Sequence, residues 1–300
     1  MHTLILSISF SVLVSVFLKL ARRCQVRVDQ AIAMNYVTAC ALCLWLLRPP
    51  LESLGRQTPS GWVLLVLLGV LLPAVFLIMA AAVRQAGIVL SDTAQRLSLI
   101  IPVLAAFLVF HEALSGTKGL GILLALGALA CLLRRPVAQD AGATPGAPPP
   151  PAMPSGEPIQ TGRRIWLPLL GVWAGYGLID ILFKQMARTG SGFTSTLLLS
   201  FSLAGVLMGL WLLIRRTQWH ARSLASGVLL GALNFGNIYF YIRAHQTYPE
   251  NPTLVFAAMN IGVISIGALV GAGLFRERLS RTNLAGIGLA LAAIVLLFPR

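Results

Sequence analysis

Acidic residues are scarce in this sequence. Nine Asp and Glu stand among 300 residues, and charged side chains of both signs reach only 11%. No stretch gathers carboxylates into a cluster able to hold a catalytic metal, and the surface of an ordinary soluble domain could not be built from so few charges. Histidine is as sparse. His2, His111, His220 and His245 all sit near predicted helix ends or loops, and neither H-E-x-x-H nor G-x-S-x-G occurs. Both absences argue against an integral-membrane enzyme acting on lipid. The phosphate loop G-x-x-x-x-G-K-[ST] is missing too, which excludes the usual route to ATP-driven transport. Cys24, Cys40, Cys43 and Cys131 are scattered singly in apolar surroundings, without the even framework of a secreted domain. The C-x-x-C of Cys40 and Cys43 has no second pair and reads as packing, and no motif calls for a cofactor or a metal.

Apolar residues are abundant instead. They make up 57% of the chain, and the mean hydropathy is +0.83. A bilayer-spanning helix needs roughly 20 apolar residues, so the chain has room for about ten such helices and none for a soluble catalytic domain. The net charge of +14 would suggest nucleic acid in a soluble protein. Here the cations lie between apolar runs and read as topology signals, with no nucleic-acid partner implied. The first run, Thr3 to Leu20, is too long for a signal-peptide core and is expected to stay as a helix.

Runs bounded by charge, Pro or Gly place helices at about 3 to 20, 31 to 47, 62 to 82, 87 to 110 and 118 to 133. A second set falls at about 165 to 183, 193 to 214, 224 to 242, 252 to 275 and 283 to 298. Between the sets, Pro136 to Gly162 holds eight prolines, four of them consecutive at Pro148 to Pro151, and reads as a flexible, partly polyproline linker. The expected fold is an all-α integral membrane protein with ten transmembrane helices. Five belong to a first unit at 2–135 and five to a second at 165–300, joined by the linker at 136–164.

The two units repeat one another. A shift of 165 residues lays Val109–Arg135 on Leu274–Arg300 with 13 of 27 positions identical, and it also lays Lys19 on Lys184 and Gln95 on Asn260. Five spans is an odd number, so the second copy must cross the membrane in the opposite sense. Loops and helix ends following the odd-numbered helices carry 15 Lys and Arg, and the opposite side carries 7. The positive-inside rule then puts the linker in the cytoplasm and both termini outside.

The tandem duplication, the Glu-x-Leu-Ser at Glu112–Ser115 and again at Glu277–Ser280, the Gly/Ala/Leu-rich helix after each, and Pro102 ten residues before Glu112 form one pattern. In these features the chain resembles the EamA-like family of the drug/metabolite transporter superfamily, over both halves and outside the linker. It departs from that pattern at His111, where a Gly is common, at Gly267, which replaces a proline, in the length of the linker and in its outward termini. The resemblance implies a polytopic carrier of the inner (plasma) membrane that works by alternating access, with its site between the repeats near the midplane.

Polar groups inside a span are costly in hydrocarbon and point to a cavity or a helix interface. Asp92, Gln95 and Arg96 share one helix face and read as a substrate or proton site, or else as an intrahelical ion pair. Gln95 and its counterpart Asn260 are candidates to face a shared central cavity. Trp173, Tyr176, Asp180 and Lys184 form a second stripe. Asp180 is the foremost proton-coupling candidate with Asp92 beside it, and Lys184 either contacts solute, pairs with Asp180 or snorkels to the interface as Lys19 would. Asn234, Asn237 and Tyr241 form a third stripe, suited to binding or to interhelical hydrogen bonds. Asn35 and Thr38 read as structural. Pro73 and Pro102 free backbone carbonyls that need partners, while Gly171/Gly175, Gly227/Gly231 and Gly267/Gly271 read as close helix crossings. Glu112 and Glu277 read as helix caps or as loop partners of Arg278.

The expected function is secondary transport, in the direction of export, of a small polar or amphipathic solute, amino-acid-like by its mixed lining, with proton coupling through the carboxyls. The first alternative is a multidrug or organic-cation exporter, which would show an unpaired acid among aromatics. A lipid-handling membrane protein is the alternative from another class. Expected partners are the small solute and membrane lipid, with the chain a monomer or a homodimer.

Overall fold

The computed structural model describes residues 1–23, 26–50, 58–133, 166–275 and 280–298. The Pro-rich linker, Cys24, Glu277 and Arg278 lie outside them, as does the side chain of Lys19. Every regular element among the described residues is helical: α1 (His2–Arg23), α2 (Val28–Leu42) continued by a π turn at Cys43–Leu47, α3 (Pro59–Leu97), α4 (Ile100–Leu108), α5 (Gly116–Leu133), α6 (Trp166–Arg188), α7 (Phe193–Ile214), α8 (Ala221–Thr247), α9 (Pro252–Phe275) and α10 (Arg281–Leu297).

Among the described residues seven helices are long and apolar enough to cross a membrane, against the ten expected. The shortfall has local causes. Helix α1 is 22 residues long with a fully described apolar stretch at His2–Leu18, Arg281–Leu297 falls just short of a full span, and the expected fourth helix is split. At its start the backbone leaves helical geometry at Gly87, with φ 82° and ψ 166°. Essentially only glycine adopts that conformation, and it joins the expected third and fourth helices through a single residue inside α3. The second interruption falls at Ser98 and Leu99, between α3 and α4, one turn before Pro102. Pro102 has no N–H for the Ser98 carbonyl, and the Ile101 N–H takes that carbonyl instead at 3.0 Å. Around it the Ser98 amide is shared between the Ala94 and Gln95 carbonyls, and the Leu99 amide bonds three residues back to Arg96. The Leu97 carbonyl receives the Trp173 indole N–H at 3.2 Å, so a side chain from α6 serves backbone exposed by the break.

Small residues set the helix crossings. A Cβ added at Gly171 or Gly175 would stand 2.9 or 2.6 Å from Ile78 or Val75 of α3, and one at Gly227 or Gly231 would strike Met34 or Thr38 of α2 at 2.6 Å. Those two pairs are close crossings, as expected. Gly267 is not, because nothing lies within 4 Å of its Cβ position. The α5–α10 crossing is reciprocal: a Cβ at Gly121 meets Leu297 at 2.8 Å, and one at Gly286 meets Leu132 at 2.9 Å. Both pairs are related by the 165-residue shift. The same exchange of halves recurs between other helices. Helix α1 packs on α8 as α6 packs on α3, α2 on α8 as α7 on α3, and α1 on α9 as α6 on α4.

The main apolar core runs from Leu4 of α1 to Leu297 of α10, and a second, smaller cluster of Ala82, Ala86, Leu169 and Val172 lies between α3 and α6. The outside is apolar as well. Trp45, Leu123, Leu167, Val206, Ile214 and Val295 are exposed, with Ile214 reaching 81%. So much exposed aliphatic surface is a liability in water and is the surface a multi-pass protein turns to lipid.

Candidate functional site

The three polar stripes do not converge on one point. Helix α8 sends its members to three neighbours: Asn234 donates to Asn35 Oδ1 of α2 at 3.2 Å, Asn237 accepts from the Ser7 hydroxyl of α1, and the Tyr241 hydroxyl donates to Asp180 Oδ1 of α6 at 3.0 Å. Successive residues spaced by three or four on one helix drift around its face, so α8, wedged among α1, α2 and α6, reaches each in turn. The Asn234–Asn35 bond is of the interhelical kind that ties membrane bundles. It also gives buried Asn35 a partner.

The Asp180–Tyr241 pair is different, because it brings an acid into the bundle interior. Asn260 of α9 lies near the Asp180 carboxyl, and its amide donates to the Phe256 carbonyl of its own helix at 3.1 Å. Phe183 meets the Tyr241 ring edge-on at 6.1 Å and walls the cluster. Residues of α6, α8 and α9 therefore meet around one carboxyl, which the Tyr241 phenol bonds and the Asn260 amide approaches. Among the described residues no cation pairs with it. Lys184, one turn further along α6, is 2% exposed and donates to the Pro249 carbonyl at 2.6 Å. The expected alternative of an Asp180–Lys184 ion pair is thus not formed.

Asp92 and Arg96 do form their ion pair, at 3.5 Å and four residues apart. Tyr176 lies within electrostatic range of both, and buried Tyr36 within range of Tyr176. The Tyr36 hydroxyl has no hydrogen-bond partner among the described residues. Gln95 sits at the break in α3, where its carbonyl receives the Ser98 hydroxyl at 2.5 Å. No hydrogen bond joins it to Asn260 among the described residues. Trp173 is engaged with the Leu97 carbonyl, as described above. Cys40 and Cys43 face Ser202 and the Thr194 carbonyl of α7.

Two residues hold more than their sequence positions suggested. Glu112, placed at a helix end by the sequence, is buried in the turn after α4. Its Oε1 accepts from Lys118 at 2.9 Å, and its Oε2 accepts from the Thr253 N–H at 2.9 Å and the Thr253 hydroxyl at 2.6 Å. Pro252 opens α9, so the Thr253 N–H is one of the helix's orphan donors, and a carboxylate from the other half of the chain caps it. Its recurrence at Glu277 was the signal available in the sequence. His245, expected at a loop, lies inside α8 at 1% exposure, between the rings of Tyr241 and Phe256 at 4.9 and 4.8 Å. Its i, i+4 spacing from Tyr241 was legible, but its burial depends on α9.

A protein of Haemophilus influenzae, described only as uncharacterized, is 48% identical over 303 residues, covering 99% of this chain and 98% of its own. The chain belongs to that protein's family. No family model matches the sequence. A solved crystal structure superposes with a TM-score of 0.65 over 98% of this chain and 96% of its own, at 14% identity, which establishes a shared fold.

Proposed function

We propose that this protein is a secondary carrier of the EamA-like type: ten spans in two inverted five-helix repeats, moving a small ammonium-bearing solute by alternating access. The exchange of helix partners between the halves and the reciprocal Gly121–Leu297 and Gly286–Leu132 contacts support the repeat. Helices α1 and α10 and the split fourth helix complete the count of ten, since a broken helix is tolerated where its carbonyls find protein partners. In this reading the chain sits in the inner membrane with its linker cytoplasmic, and it exports its solute.

The observation that carries the reading is Asp180, an acid inside an apolar bundle, bonded to Tyr241, near Asn260 and paired with no cation among the described residues. Intramembrane carboxyls without a fixed counter-charge mark solute or proton paths. Asp180 alternates between the solute's ammonium group and a proton, with Tyr241 orienting its oxygen. An amino-acid-like zwitterion and an organic cation share that ammonium group, and the absence of a basic partner at Asp180 favours the feature they share.

Thermal unfolding of the purified protein against amino acids, organic amines, nucleosides and sugars tests this, followed by counterflow in liposomes for any solute that responds. The expected result is a saturable rise in Tm for ammonium-bearing solutes alone, lost in Asp180→Asn together with counterflow. That variant keeps an oxygen for the Tyr241 hydroxyl and is expected to fold. A response that survives it, or one confined to uncharged solutes, sinks the reading.

A further inference from the structure

At one end of the bundle the turn between α6 and α7 and the last turns of α8 enclose a cavity of about 540 Å³ whose lining does not include Asp180, Tyr241 or Asn260. Its polar walls are Lys184, Arg188, Arg243, His245 and Gln246, with no carboxylate among them. Arg188 and Arg243 are exposed at the rim, and Lys184 and His245 are buried beneath. Glu112 and Glu250 line an adjoining cavity of about 390 Å³ that shares Lys184 and Arg188. Glu112, within electrostatic range of Lys184, is already committed to Lys118 and Thr253. The larger cavity therefore concentrates positive charge in a molecule with few acids to balance it.

Both ring nitrogens of His245 are buried without a hydrogen-bond partner among the described residues. An imidazole carries at least one N–H in every tautomer, so a buried donor stands unmet beside the Lys184 ammonium group. Such a donor is costly to leave unmade unless something outside the chain accepts from it. Lys184 gives one bond to Pro249 and keeps further donors. Arg243 is steadied by its bond to Gln246 at 2.8 Å, and Gln246 in turn holds the Gly190 carbonyl of the α6–α7 turn at 3.1 Å. The walls are thus cross-tied, and their free donors are of one kind.

We propose that this cavity is an oxyanion site that takes a phosphate or carboxylate group, with the two arginines closing over it and Lys184 and His245 donating from below. Guanidinium groups bind such oxygens in charge-assisted, often bidentate bonds. The group is carried by a soluble anion or by the headgroup of an anionic lipid, since the cavity opens at the helix ends.

The full chain, purified in an uncharged detergent, is titrated with inorganic phosphate against sodium chloride at matched ionic strength. In parallel it is titrated with phosphatidylglycerol against phosphatidylcholine in mixed micelles. The expected result is a saturable rise in Tm beyond the control with at least one probe. Its midpoint moves up about tenfold or more in Arg188→Gln/Arg243→Gln, whose substitutions lie on the surface. A phosphate response assigns a soluble anion, and a phosphatidylglycerol response alone assigns a lipid. His245→Phe keeps a ring against Tyr241 and Phe256 and is expected to raise the Tm of the ligand-free protein while shrinking the response. No response beyond the controls, or one the double variant leaves unchanged, overturns the proposal. Neither result bears on the central site, which Asp180→Asn tests separately.

Discussion

Single residues in this protein act across the boundary between its halves. Glu112 is the clearest case, because its two carboxylate oxygens serve Lys118 of its own half and Thr253 at the start of α9. Removing one partner of a buried ion pair leaves the others unmet at a cost of about 3–5 kcal/mol, far above the median for an exposed pair. Glu112→Ala is expected to destabilise by about 3 kcal/mol. Thr253→Ala is expected to cost less, because its N–H still reaches the carboxylate. Chemical or thermal unfolding of both single variants and the double checks this: the Thr253 effect should nearly vanish in the Glu112→Ala background, and two independent, additive losses would show that the Thr253 hydroxyl does not bond Glu112. The sequence marked Glu112 through its repetition at Glu277, yet could not reveal its partner. Thr253 lies 141 residues away, and no local pattern encodes that contact. Asp180 and Tyr241 were likewise visible as separate members of two stripes, and only the α6–α8 packing joined them.

At the scale of elements, the apolar runs located the helices well because the bilayer requirement writes them as long uninterrupted stretches. What they did not reveal was where a helix is interrupted. The expected start at residue 87 coincides with Gly87, but the second break, at Ser98 and Leu99, was visible only as the missing donor of Pro102 one turn later. Two glycines separate backbone demand from packing demand. Nothing lies within 4 Å of a Cβ at Gly87 or at Gly267, so neither substitution to alanine causes a clash. Gly87 holds a conformation that costs a side-chain-bearing residue about 1–3 kcal/mol, whereas in a helix interior alanine is better than glycine by about 1 kcal/mol. Gly87→Ala is therefore expected to lower stability and Gly267→Ala, inside α9, to raise it. Equal signs in thermal unfolding would mean that the break at Gly87 is not built into the native state.

At the scale of the whole molecule, parity decides what the halves can do. Two units with five spans each return both termini to one face and leave the linker on the other, whereas seven spans would put the termini on opposite faces. The charges add a direction to that parity. Loops and helix ends after odd-numbered helices carry 15 cations against 7, so the linker side is expected in the cytoplasm and the termini outside. Short epitopes placed before His2, between Pro150 and Pro151, and after Arg300, probed with impermeant antibody in spheroplasts before and after permeabilisation, separate these cases. The expected pattern is both terminal epitopes reached before permeabilisation and the linker epitope only after it. All three responses reversed would keep the ten-span carrier and invert its orientation. Termini on opposite faces would leave an odd number of spans. The reciprocal α5–α10 crossing would then have to form without opposed repeats, and a rocking exchange between two like halves would lose its geometric basis.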